Sequence, residues 1–173
     1  RGGRLSAGRS ANYALLFDAE TGFFRGRRRD GGFSVPAGEF DPLDWGGGDF
    51  TETDAWTFAF HAPPHDPEGL ASLHGGREGL LARLEEYLAT PPERADHPGT
   101  YGGVIHEMIE AREMRMGQLA LSNQPAHHIP PFLLHHAGAP PDRASLLVQE
   151  ARRRLFTGEQ IGQGYPGDED NGR

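Results

Sequence analysis

The chain has 173 residues, enough for one ordinary domain, and carries a net charge of -8. That charge argues against nucleic-acid binding, which needs a basic surface to neutralise phosphates; "RGRRR" at 25–29 and "RRR" at 152–154 are short and separated. The absence of cysteine excludes a disulfide framework and a thiolate zinc site, and no apolar run approaches membrane-spanning length.

With 25 glycines, 14 prolines, ten Phe and two Trp, the chain reads as loop-rich around a packed interior. It lacks an initiating Met and stops in a loop at Arg173, so it is expected to be a piece of a larger protein. Residues 10–17, with Ala11, Ala14, Leu15 and Phe17, suit the last turns of a helix. Residues 18–50 are Gly-rich with scattered aromatics, which suggests a long structured loop with a short hairpin at "RDGG"; such loops usually build a binding site. A helix is expected through "DFTETDAWTFAF", then a break at "HAPPHDP" and a short helix ending at a Gly pair. "REGLLARLEEYLAT" places Leu80, Leu81, Leu84 and Leu88 on one amphipathic face. "VIHEMIEAREMRMG" groups Val104, Ile105, Met108 and Ile109 on one side and stops at Gly117. "HHIPPFLLHHAG" is helical with uncertain early turns, because Pro130 and Pro131 fit poorly inside a helix. "PPDRASLLVQEARRRLFTG" is the cleanest helix, with Leu146, Leu147, Ala151 and Leu155 aligned. No strand-like alternation competes, so the fold class is all-α. Helix pairs joined by large loops favour an α/α toroid over a simple bundle.

Polar residues cluster where loops meet helices. Glu52 is either a first-turn carboxylate favoured by the helix dipole or a proton donor raised by Trp45 and Trp56. "LSNQPAHH" offers Asn123 and Gln124 as oxygen donors for a hard cation, or Ser122 and Asn123 as helix caps. The nine histidines lack H-E-x-x-H spacing, which leaves zinc as the weaker reading. Asp168, Glu169 and Asp170 are adjacent carboxylates that need solvent, a cation or a basic partner. An EF-hand loop is excluded, because Gly172 falls at its fifth position rather than its sixth.

Taken in order, "LFDAETGFFRGRRRDGGF", "FDPLDWGGGDFTETDAWTFAFHAPPHD", "GGREGLLARLE", "IHEMIEAREMRMGQLALSNQPAHHIPPFLL" and "GYPGDEDNGR" resemble glycoside hydrolase family 92, the calcium-dependent exo-α-mannosidases. The resemblance runs from about residue 10 to the end. It implies one segment of an (α/α)6 toroid over 1–173, with a site-forming loop region at 10–50 and helices and loops carrying the site at 51–173. It also implies release of terminal α-mannose with inversion, from a mannose-containing glycan held through Ca2+. By resemblance Glu52 is the general acid, and Asp168 and Asp170 are the base-side carboxylates. Asn123, Gln124, Glu107 and Glu169 are the candidate calcium contacts, and Trp45, Trp56, His127 and His128 the pocket lining. A secreted or periplasmic location is implied as well. The chain departs from the family pattern at Thr53 and Asp54, at one extra proline in "IPPF" and at Arg173. Asp54 beside Glu52 could raise the acid's pKa or reshape the subsite. The segment cannot close a toroid, so it is not expected to turn over substrate alone. The alternatives are a non-catalytic carbohydrate-binding module and an all-α protein-interaction domain with a solvated acidic loop.

Overall fold

The computed structural model describes residues 8–44, 54–61, 63–92, 103–104, 106–119 and 129–155. Six α-helices account for about half of them: α1 (Ala55–His61), α2 (Pro67–Leu73), α3 (Arg77–Ala89), α4 (His106–Met114), α5 (Ile129–His136) and α6 (Arg143–Leu155). Among these residues no helix is long and apolar enough to cross a membrane.

The N-terminal stretch differs from expectation. Asn12–Leu16 winds as a tight 3-10 helix, and Phe17 leaves it in an extended conformation. Phe17–Asp18 (β1) then pairs antiparallel with Phe23–Phe24 (β2), with Phe17 opposite Phe24. Strands were not foreseen, because two residues are too few to show alternation. They form because the Asp18 carboxylate accepts the Glu20 N–H and the Thr21 hydroxyl, both at 3.1 Å, which folds the chain back. The Phe17 and Phe24 rings then meet edge to face at 5.4 Å. The hairpin at "RDGG" is present, with Arg27 bridged to Phe33.

Helix starts and stops follow local chemistry. Asp66 caps α2 by accepting the Gly69 N–H at 2.9 Å, and Pro67 fills the first position, where no N–H is needed. Gly75 and Gly76, at φ 80° and 111°, turn the chain from α2 into α3. Pro130 and Pro131 are accommodated because both lie in the first turn of α5, where their missing donors cost nothing.

The core joins the hairpin to the helices. Phe23, Phe24, Trp56, Phe60, Leu70, Leu80, Leu84, Tyr87, Leu133, Leu134 and Leu147 are all buried in it. Helix α5 packs against α6, α3 and α1, while α1 also covers β2. Each fully buried Leu or Phe contributes roughly 1.5–3 kcal/mol. Two predicted faces are rotated. Val104 and Ile109 are about half exposed, at 47% and 46%, while Met108 and Met114 form the buried side of α4. On α6 Leu147 and Ala151 face inward, but Leu146 faces out.

Gly117 joins α4 to α3 where no side chain fits. At φ 64° it presses against the Tyr87 and Leu88 carbonyls, and a Cβ would collide with that backbone. The contact lets Gln118 donate its backbone N–H to Tyr87 O (3.0 Å) and its side-chain amide to Pro91 O (2.9 Å), capping the end of α3.

Candidate functional site

Three of the predicted site residues adjoin a helix start. Glu52 lies two residues before Asp54 at the head of α1, Glu107 is the second residue of α4, and His128 directly precedes α5. Trp45, Glu52, Asn123, Gln124, His127, His128, Asp168, Glu169 and Asp170 lie outside the described residues. Of the candidates, Trp56 alone has a described side chain.

Trp56, expected on a pocket wall, is instead a core residue, 3% exposed. Its ring meets Phe23 edge to face at 4.8 Å and tilts against Tyr87 at 6.4 Å. The Arg83 guanidinium from α3 lies 4.1 Å from the centroids of both Trp56 and Phe23. Arg83 also bonds Glu86 at 2.7 Å, so one cation ties α3, α1 and the hairpin together. The aromatic stripe of α1 therefore serves packing.

Asp54 is fully buried at the head of α1, where its Oδ1 accepts the Thr57 N–H at 2.8 Å. Burial raises its carboxyl to about 6, despite the opposing bonds from Thr57. Tyr87 is pushed up as well, first by burial and then by the Asp54 charge. A carboxyl with a raised pKa thus lies two residues after Glu52 in the sequence.

The rise in Asp54 fixes the sign of a pH effect. In the unfolded chain the group ionises near 4, and in the folded protein only near 6, so the folded state holds the extra proton between those values. The stability this proton confers is complete below pH 4 and lost as pH rises through 6, a change of roughly 3 kcal/mol. Asp54→Asn keeps the acceptor for Thr57 and removes the charge. The variant should gain stability over the parent progressively from pH 4 to pH 7, read as the difference in thermal midpoints. A constant difference across that range would show that the carboxyl is not desolvated.

The loop ahead of α1 is anchored by an ion pair that reading the sequence did not identify. Arg25, 1% exposed, donates to Asp18 at 2.6 Å and to the Val35 carbonyl, with its guanidinium over the Phe33 and Phe40 rings. Burial by itself would raise the Asp18 carboxyl. The bonds from Arg25, Glu20 and Thr21 outweigh it and hold the group below the usual carboxylate range. The available signal was "FDAETGFFR", which sets an acid and an arginine on opposite arms of one turn.

Among the described residues no three His, Asp or Glu side chains converge as a metal site. His74 packs edge-on against Phe17, and burial followed by the Arg83 charge lowers it to about 4, so it stays neutral. His65 meets the Ser10 carbonyl and His136 lies 3.6 Å from Glu68, both structural contacts.

Comparison with known proteins gives a consistent result. The glycosyl hydrolase family 92 catalytic domain matches residues 5–173. The structure of a family GH92 inverting mannosidase from Bacteroides thetaiotaomicron VPI-5482 is similar at 36% identity over 93% of the chain, with a TM-score of 0.63. The chain spans 20% of that structure's length. A comparison with curated proteins finds no match.

Proposed function

The chain belongs to glycoside hydrolase family 92, and from that membership we propose that the protein containing it removes terminal α-linked mannose from glycans with inversion. The observation that carries this reading is the match over residues 5–173, supported by 36% identity to an inverting mannosidase. The helices α1–α6 would form one segment of an (α/α)6 toroid, and the protein would work in a secreted or periplasmic setting.

Inversion needs a protonated acid at the leaving oxygen and a carboxylate holding water on the opposite face, about 6.5–9.5 Å apart. Glu52 takes the acid role. It adjoins a segment pinned by Asp54, which caps α1, and by Ala55, whose N–H bonds the Pro42 carbonyl at 3.1 Å. Asp168 and Asp170 take the base role. Trp45, His127 and His128 line the pocket.

The donors Asn123, Gln124, Glu107 and Glu169 are all oxygen ligands and suit Ca2+ rather than zinc. When bound, that ion would supply positive charge and a template for sugar hydroxyls.

Proton NMR of the whole protein cleaving an α-mannoside should show β-mannose as the first product, before mutarotation. EDTA should abolish turnover, and Ca2+ but not Zn2+ should restore it. A first-formed α-anomer would overturn the mechanism, and sugar binding without turnover would favour the non-catalytic module.

A further inference from the structure

Between the end of α3 and the end of α4 lies a cavity of about 620 Å³. Leu88, Ala89, Pro91 and Pro92 give it an apolar floor, and Arg112 and Arg115 provide its charged wall. Both arginines are exposed, and neither side chain has a carboxylate partner among the described residues.

Five helix arginines elsewhere are matched with acids, Arg77 with Glu68, Arg83 with Glu86, Arg143 with Glu85, and Arg153 and Arg154 with Glu150, whereas the exposed Arg152 has no such partner among the described residues. Two guanidiniums lining one cavity favour an anion between them. The chain has a net charge of -8, so acids to quench them are plentiful.

The backbone is also committed to this arrangement. Arg115 holds φ 50°, a left-handed conformation costing a non-glycine residue roughly 1 kcal/mol. The Arg115 carbonyl is held by Arg154 Nη1 at 3.0 Å, and Gly117 presses its turn onto the carbonyls at the end of α3. Local strain kept in place by surrounding contacts is a feature of binding sites.

We propose that the α3–α4 cavity is an oxyanion-binding site, in which Arg112 and Arg115 grip a sulfate, phosphate or carboxylate group while the Leu88–Pro92 floor carries the apolar face of the attached small molecule. Guanidinium groups suit this task, because each presents paired donors to an oxyanion. The inference is independent of the glycosidase reading, since it uses none of the residues assigned to that chemistry.

The test uses the whole protein with sulfate and, separately, succinate as probes at constant ionic strength. Both interfere less with calcium than phosphate or citrate. The parent's thermal midpoint should rise by about 2–4 °C in a saturable way with at least one probe. The Arg112→Gln/Arg115→Gln variant should lose that saturable rise at an unchanged midpoint without anion. A larger rise with sulfate assigns a tetrahedral oxyanion, and a larger rise with succinate a carboxylate. Equal rises in parent and variant would overturn the site. So would a variant already destabilised without anion, because the arginines would then be paired with a carboxylate elsewhere in the protein.

Discussion

Asp168→Asn and Asp170→Asn should lower kcat on an unactivated α-mannoside by about 10²–10⁴-fold in the whole enzyme, the usual worth of a general base. An amide of the same shape can still hold a water, but it cannot take the proton when that water attacks the anomeric carbon. KM should therefore change much less than kcat. If one carboxylate is the base and its neighbour only orients the water, the two losses will differ, and the larger identifies the base. Glu52→Gln gives the complementary pattern, with a large loss on substrates with poor leaving groups and a small one on activated aryl mannosides. Near-normal rates in both Asp variants would return Asp168–Asp170 to a solvated acidic loop and remove the main support for the proposed mechanism.

Asp18→Ala should destabilise the segment by about 3–5 kcal/mol, the cost of stranding a buried charge without its partner. Arg25 is almost fully buried, and the carboxylate it would lose is its only ion-pair partner among the described residues. The same carboxylate organises the turn through Glu20 and Thr21, so the β1–β2 hairpin loses its closing bonds at the same time. Asp18→Asn should cost less, because it keeps an acceptor for the Arg25 guanidinium. Urea midpoints and the rate of proteolytic cleavage within residues 17–44 check the prediction. Unchanged values in Asp18→Ala would mean that the aromatic stack around Arg25 holds the loop without the ion pair.

Much of the helical framework was legible without coordinates. The Leu80 and Leu84 spacing marks the inner face of α3, and the break at "HAPPHDP" and the Gly75-Gly76 pair bracket α2. These are local signals, set by side-chain period, capping and allowed φ within a few residues. Family membership was legible for a related reason, since the motifs are short linear strings in a fixed order, and the match over residues 5–173 bears it out.

Only the tertiary structure decided which apolar and charged groups leave water. Ile109 and Met108 are neighbours on α4, and Leu146 and Leu147 are neighbours on α6, yet one of each pair is exposed and the other buried. Helical period alone allows either face, and the choice depends on which helix packs alongside. Trp56, which the family resemblance implied as pocket lining, is packed in the core by Phe23 and Arg83, 33 residues before it and 27 after it. Asp54 reads as an ordinary capping acid, and its raised pKa follows from burial beside Tyr87, a residue on another helix. Period and capping are set within one or two turns of chain, whereas desolvation is set by whatever distant residues the fold brings alongside.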